Sequence, residues 1–142
     1  MKVLLAMAVA FTMAVVLTAA GAGVPAAVHY INHDKFTKGG ATIEDPGLRV
    51  FVNRRTAAEV ELHEHTNHIF IIVDGEATFV TGGTMVNAKR TSPDQMTATD
   101  IQGGEVHHLT KGDLITIPAK TPHWWKEVPT KTIAYYAVNI EN

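Results

Sequence analysis

From about Ala27 onward the chain is a succession of short β-branched and aromatic runs cut by turn residues, a pattern that leaves little room for anything but strands. The runs are RVFVNRRT (49–56), EVELHEH (59–65), HIFIIV (68–73), EATFVT (76–81), EVHHLT (105–110), DLITIP (113–118), HWWKEV (123–128) and KTIAYYAVNI (131–140). Asp74-Gly75 between two of them predicts a hairpin turn, and Lys111-Gly112-Asp113 and Pro118–Pro122 predict two more turns. No stretch carries convincing helical periodicity. Many short strands at regular spacing imply an all-β sandwich or small barrel. With 142 residues, 46 % of them apolar and 18 % charged, one domain with a proper core is the expectation.

One excursion interrupts the series. Gly82-Gly83 and Gly103-Gly104 bracket residues 84–102, whose polar middle contains Ser92-Pro93-Asp94. Paired glycines permit sharp bends, so the segment is expected to leave the sheet and return as a flap, either a surface insertion or a lid or oligomer contact.

The N-terminal end reads differently. MKVLLAMAVAFTMAVVLTAAGAG has one lysine, an apolar run and then small residues, the layout of a secretory signal peptide, with Ala20-Gly21-Ala22 as a small-x-small cleavage pattern. Residues 1–22 are therefore expected to be removed on export, leaving 23–142 as a single domain. Uncleaved, the same run is long enough to anchor the chain in a membrane. The formal net charge is −2 and no basic run occurs, so nucleic acid is an unsuitable partner. There is no cysteine, which rules out disulfides and thiolate ligands; a metal site here must use imidazole, carboxylate or amide groups.

The eight histidines are unevenly spread, with His63, His65 and His68 inside six positions. On a strand, residues at i and i+2 share a face, so His63 and His65 are expected to grip one ion together. His68 opens the next run and could fold back opposite them. A solvated histidine-rich hairpin is the alternative for these residues alone.

The stretch GDLITIPAKTPHWW (112–125) changes the balance. Together the two stretches resemble the two motifs of the cupin superfamily. The first family motif runs Gly, five residues, His-x-His, three or four residues, Glu, six residues, Gly. His63-x-His65 matches its His pair, and His68 stands in the place of the Glu, six residues before Gly75. The second runs Gly, five residues, Pro-x-Gly, two residues, His, three residues, Asn; Gly112, Pro118 and His123 match. The departures are Ala57 for the opening Gly, His68 for the Glu with a gap one residue short, Lys120 for the second-motif Gly and Glu127 for the Asn.

The resemblance implies an antiparallel β-barrel of double-stranded β-helix (jelly-roll) type, with a metal inside one end. It implies His63, His65 and His123 as ligands, with His68 as a fourth. The cofactor would be one divalent transition metal: Fe2+, Zn2+, Ni2+, Cu2+ or Mn2+. Four neutral imidazoles would leave the local charge near +2, which favours Lewis acidity over an oxidised ion. Phe70 and Trp125 are expected to line the pocket, and Glu127, sharing parity with His123, is the candidate general base. Either Tyr135 or Tyr136 faces inward. The function implied is an exported metal enzyme acting on a small organic molecule, of dioxygenase, isomerase or lyase type. A non-catalytic binding module with a closed four-histidine site is the second reading, and a purely structural metal staple the third. Cupins commonly pair through edge strands, so a homodimer is expected.

Overall fold

In the computed structural model, residues 27–38 and 41–141 are described. The predicted signal segment 1–22 lies outside them. Thirteen strands and one short helix follow in order: α1 His33–Thr37, β1 Thr42–Asp45, β2 Leu48–Arg55, β3 Val60–His63, β4 Thr66–Asp74, β5 Ala77–Thr81, β6 Thr84–Val86, β7 Lys89–Arg90, β8 Gln95–Ala98, β9 Asp100–Gln102, β10 Glu105–Leu109, β11 Leu114–Ile117, β12 His123–Glu127 and β13 Ile133–Glu141. Each predicted run contains a strand. The helix is too short to show a period. Asn32 caps it by accepting from the Lys35 N–H at 2.9 Å, and Phe36 packs on Tyr136 with ring centroids 5.1 Å apart. No helix among the described residues is long and apolar enough to cross a membrane.

The strands form two antiparallel sheets, β1-β2-β13-β4-β11 and β10-β5-β12-β3-β8-β7, with β6-β9 as a separate ribbon. Alternation along β4 sends His68, Phe70 and Ile72 inward, and along β13 it sends Ile133, Tyr135 and Ala137 inward. From the opposing sheet come Ala77, Phe79, Leu109 and Trp125. The two inner faces close on one another around an aromatic stack: Trp125 lies 4.4 Å from Phe79 and 4.8 Å from Tyr135, and Phe70 lies 4.6 Å from Tyr135, centroid to centroid. Of the two tyrosines, Tyr135 is the buried one.

Two expectations change. Asp74-Gly75 does not close a hairpin, because β4 and β5 belong to different sheets; the turn carries the chain from one sheet to the other. Gly75 is needed there, with φ at +83° and the Thr132 carbonyl 2.5 Å from where a Cβ would stand. The excursion 84–102 is not a detached flap either. Its base pairs as β6-β9, and its return strand β8 docks on β3 with His63 opposite Gln95 and Glu61 opposite Thr97. Backbone pairing to β3 outweighs solvation of a polar loop, so the segment extends the sheet that carries the histidines.

Candidate metal centre

Three of the predicted histidines converge. One nitrogen from each of His63, His68 and His123 lies within 4.8 Å of the others. Their origins differ: His63 and His123 stand on adjacent strands of one sheet, where His123 pairs with Glu61, and His68 faces them from β4 of the other. The cluster therefore forms across the barrel, not within one hairpin.

Two of the three imidazoles are hydrogen-bonded through Nδ1. His123 Nδ1 donates to the Thr121 carbonyl at 3.0 Å, and His68 Nδ1 donates to Asn139 Oδ1 at 2.8 Å. His63 Nδ1 stands 3.4 Å from the Asp94 carboxylate. An acceptor at Nδ1 fixes the proton there and leaves Nε2 with a bare lone pair. His68 Nε2 is buried with no hydrogen-bond partner among the described residues. Burial disfavours the charged imidazole, holding His68 below its ordinary pKa and His123 down at about 4. Both are neutral donors at neutral pH.

His65 does not join them. The strand ends at His63, and the chain bends through Glu64 and His65. Asp94 organises that bend: its backbone carbonyl accepts from Glu64 N–H at 2.8 Å, and its carboxylate accepts from His65 N–H at 2.7 Å and Thr66 Oγ1 at 3.0 Å. Those donors outweigh burial and hold the Asp94 carboxyl below its ordinary pKa. The bend breaks the two-residue alternation, so the His65 side chain points to solvent instead of sharing the face of His63.

Glu61, two residues before His63 on the same face, takes the place expected of His65. Its Oε2 is 4.0 Å from His123 Nε2. Arg55 grips this carboxylate from β2, with Nη1 donating to Oε2 at 2.7 Å and Nη2 to Oε1 at 3.0 Å. Burial pushes the Glu61 carboxyl up, but the guanidinium outweighs it and leaves the pKa lowered. With Glu61-x-His63 in the His-x-His position, four residues precede His68 and six separate it from Gly75, both within the family spacing. The gap that was one residue short under the His63/His65 alignment was the available signal for this frame.

The cluster opens into a cavity of about 170 Å³. Its polar wall is Asn53, Arg55, Glu61 and Tyr135, and its apolar wall includes Phe51 and Phe70. Asn53 Nδ2 donates to the Tyr135 hydroxyl at 3.0 Å, and burial pushes that phenol up to about 12. Phe70 thus lines the pocket as expected. Trp125 does not; it is outside the cavity lining and packs in the core. Glu127 is also displaced. A register shift between Trp125 and Glu127 takes it off the face of His123, and it lies exposed with Thr78 Oγ1 donating to it at 3.4 Å. Asp94, Asn139, Arg55 and Glu61 were not read from the sequence. Only Glu61 left a trace there, through parity with His63.

No family model and no curated protein matches the sequence. Solved structures do match. HppE in its Co(II) form with Tris buffer is 14 % identical, with a TM-score of 0.50 over 70 % of this chain and 51 % of its own. A cupin protein (BF4112) from Bacteroides fragilis is 16 % identical, with a TM-score of 0.45 over 67 % of this chain and 66 % of its own. Protein NMB1881 from Neisseria meningitidis is 9 % identical, with a TM-score of 0.47 over 71 % of this chain and 82 % of its own. The fold, an all-β barrel of two antiparallel sheets, is shared with HppE. At these identities the likeness is one of architecture, and the chain spans less than two thirds of the first two proteins. The two-sheet architecture accounts for the cross-sheet assembly of the histidines, which come from β3 and β12 of one sheet and β4 of the other.

Proposed function

We propose that the protein binds one divalent transition metal through His63, His68 and His123 and uses it on a small organic molecule. The buried, unpartnered Nε2 of His68, clustered with His63 and His123, carries this reading. A buried polar atom without a partner is costly, and a metal ion satisfies it. Three imidazoles with carboxylate nearby suit Fe2+, Zn2+, Ni2+, Cu2+ or Mn2+. Such an ion would supply Lewis acidity toward a bound oxygen. The protein's own part is to hold three lone pairs in register, and to provide an apolar wall that excludes water and a polar wall that orients the ligand.

The cavity bounds the ligand. About 170 Å³ is close to the roughly 150 Å³ that accommodates benzene. Arg55 and Glu61 balance one another, so a divalent ion leaves the cavity positively charged. An anionic oxygen, as in an enolate, carboxylate or deprotonated hydroxyl, is the complement. Dioxygenase, isomerase and lyase chemistry all use such a ligand. The closed four-histidine binding module is the weaker reading, because His65 stands outside the cluster.

Metal analysis of protein purified without added metal tests the proposal. His63→Ala, His68→Ala and His123→Ala should each lose the ion, and His65→Ala should keep it. Retention by His68→Ala and His123→Ala would end the three-imidazole reading. Export with cleavage after residue 22 and pairing of two copies through edge strands complete the proposal. N-terminal sequencing of the exported protein and its sedimentation behaviour test them.

A further inference from the structure

Glu61 sits beside the three histidines yet is gripped elsewhere. Its Oε2 accepts from Arg55 Nη1 at 2.7 Å and stands 4.0 Å from His123 Nε2, while its Oε1 takes the second Arg55 bond at 3.0 Å. The 4.0 Å separation is to His123 alone, and Glu61 stands outside the group whose ligand atoms all lie within 4.8 Å of one another. Both side chains are largely covered, at 25 % exposure for Arg55 and 19 % for Glu61. A two-pronged guanidinium–carboxylate pair that is shielded from water is a strong, directional interaction. It also joins the two sheets, because Arg55 lies on β2 and Glu61 on β3.

We propose that Arg55 is a positioning residue that withholds Glu61 from the metal, keeping the centre a three-imidazole site with positions open to an exogenous ligand. The carboxylate would join the site by a side-chain movement past His123, and its two bonds to Arg55 oppose that movement. Loss of the fork lets Glu61 become a fourth protein ligand, which tightens metal binding and closes the site. This rests on the metal-binding reading above.

The experiment uses the full chain, stripped of metal and titrated with Co2+, reading affinity by chelator competition, the visible ligand-field spectrum and azide binding to the Co2+ form. Glu61→Gln alone should leave the spectrum unchanged, because Glu61 is not bound. Arg55→Met should change the spectrum, raise Co2+ affinity by about tenfold or more, the scale on which groups around metal ligands act, and weaken azide binding. Adding Glu61→Gln to Arg55→Met should restore the original spectrum. Removing a positive charge can raise affinity by itself, but it cannot change which atoms bind, so the spectrum is decisive. Arg55→Lys keeps the charge and gives up the fork, and should move partway toward Arg55→Met. A spectrum altered by Glu61→Gln alone overturns the proposal, since the carboxylate is then already a ligand. So does an Arg55→Met spectrum identical to the native one. If Arg55→Met fails to fold, the Glu61→Gln and Arg55→Lys spectra decide. If His68→Ala and His123→Ala retain Co2+, the metal-binding reading has failed; if they lose it and Arg55 has no effect, only the withholding has.

Discussion

Asn139 and Thr121 orient two of the three histidines of the candidate centre. Each accepts the Nδ1 proton of an imidazole and so aims the other nitrogen at the common point. Asn139→Ala should therefore weaken metal binding by roughly 10–100-fold while leaving the fold intact, measured by chelator competition and circular dichroism. The same burial that makes His123 a neutral donor has a pH consequence for the metal-free protein. Its folded pKa of about 4 lies below the ordinary 6.5, so the unfolded chain binds the extra proton first. That contribution to stability is complete above pH 6.5, falls as pH drops toward 4, and levels off below. Its size is on the order of 3 kcal/mol, because each tenfold loss of proton affinity on folding corresponds to about 1.4 kcal/mol. Urea unfolding of metal-free protein at pH 7 and pH 4.5 should show the loss, and His123→Phe should reduce it.

At the level of elements, the excursion 84–102 and the turn at Gly75 matter most. Asp94 reaches from the excursion to brace the corner that follows β3, accepting two bonds and facing His63. Asp94→Ala removes the acceptor of the exposed His65 N–H and the carboxylate facing His63. It should cost about 0.5–1.5 kcal/mol in chemical unfolding and also lower metal affinity. At Gly75 the left-handed backbone and the close Thr132 carbonyl exclude a side chain. Gly75→Ala should lower the melting temperature by more than an exposed-loop substitution such as Ser92→Ala, with a penalty of about 1–3 kcal/mol. The strand runs were legible because alternation and turn chemistry are local. Sheet membership was not: Asp74-Gly75 carries hairpin residues, yet it joins two sheets, and its local chemistry is the same in either role.

For the molecule as a whole, the core is an apolar cluster drawn from both sheets. Trp125, Tyr135, Phe79, Ile72 and Ile117 are almost completely buried beneath the histidines and belong to both sheets. Burial of such side chains contributes about 1.5–3 kcal/mol each before entropy is set against it. Removal of metal by a chelator should lower the melting temperature in proportion to the logarithm of metal concentration over Kd, yet leave a cooperative transition. Loss of that transition would favour the metal as a fold staple.

The succession of runs and the glycine turns determined an all-β sandwich or barrel, and the absence of cysteine confined any metal site to imidazole, carboxylate or amide groups. The resemblance of two short motifs pointed to the cupin architecture before any coordinates. Tertiary structure alone decided which groups meet. His65 leaves the site because Asp94, 29 residues away, bends the chain after His63. Glu61 enters because it shares the inward face of β3, and Glu127 leaves because a register shift turns it outward. Strand propensity is written in neighbouring residues, whereas convergence at a site is set by pairing between distant strands and by the few side chains that brace their ends.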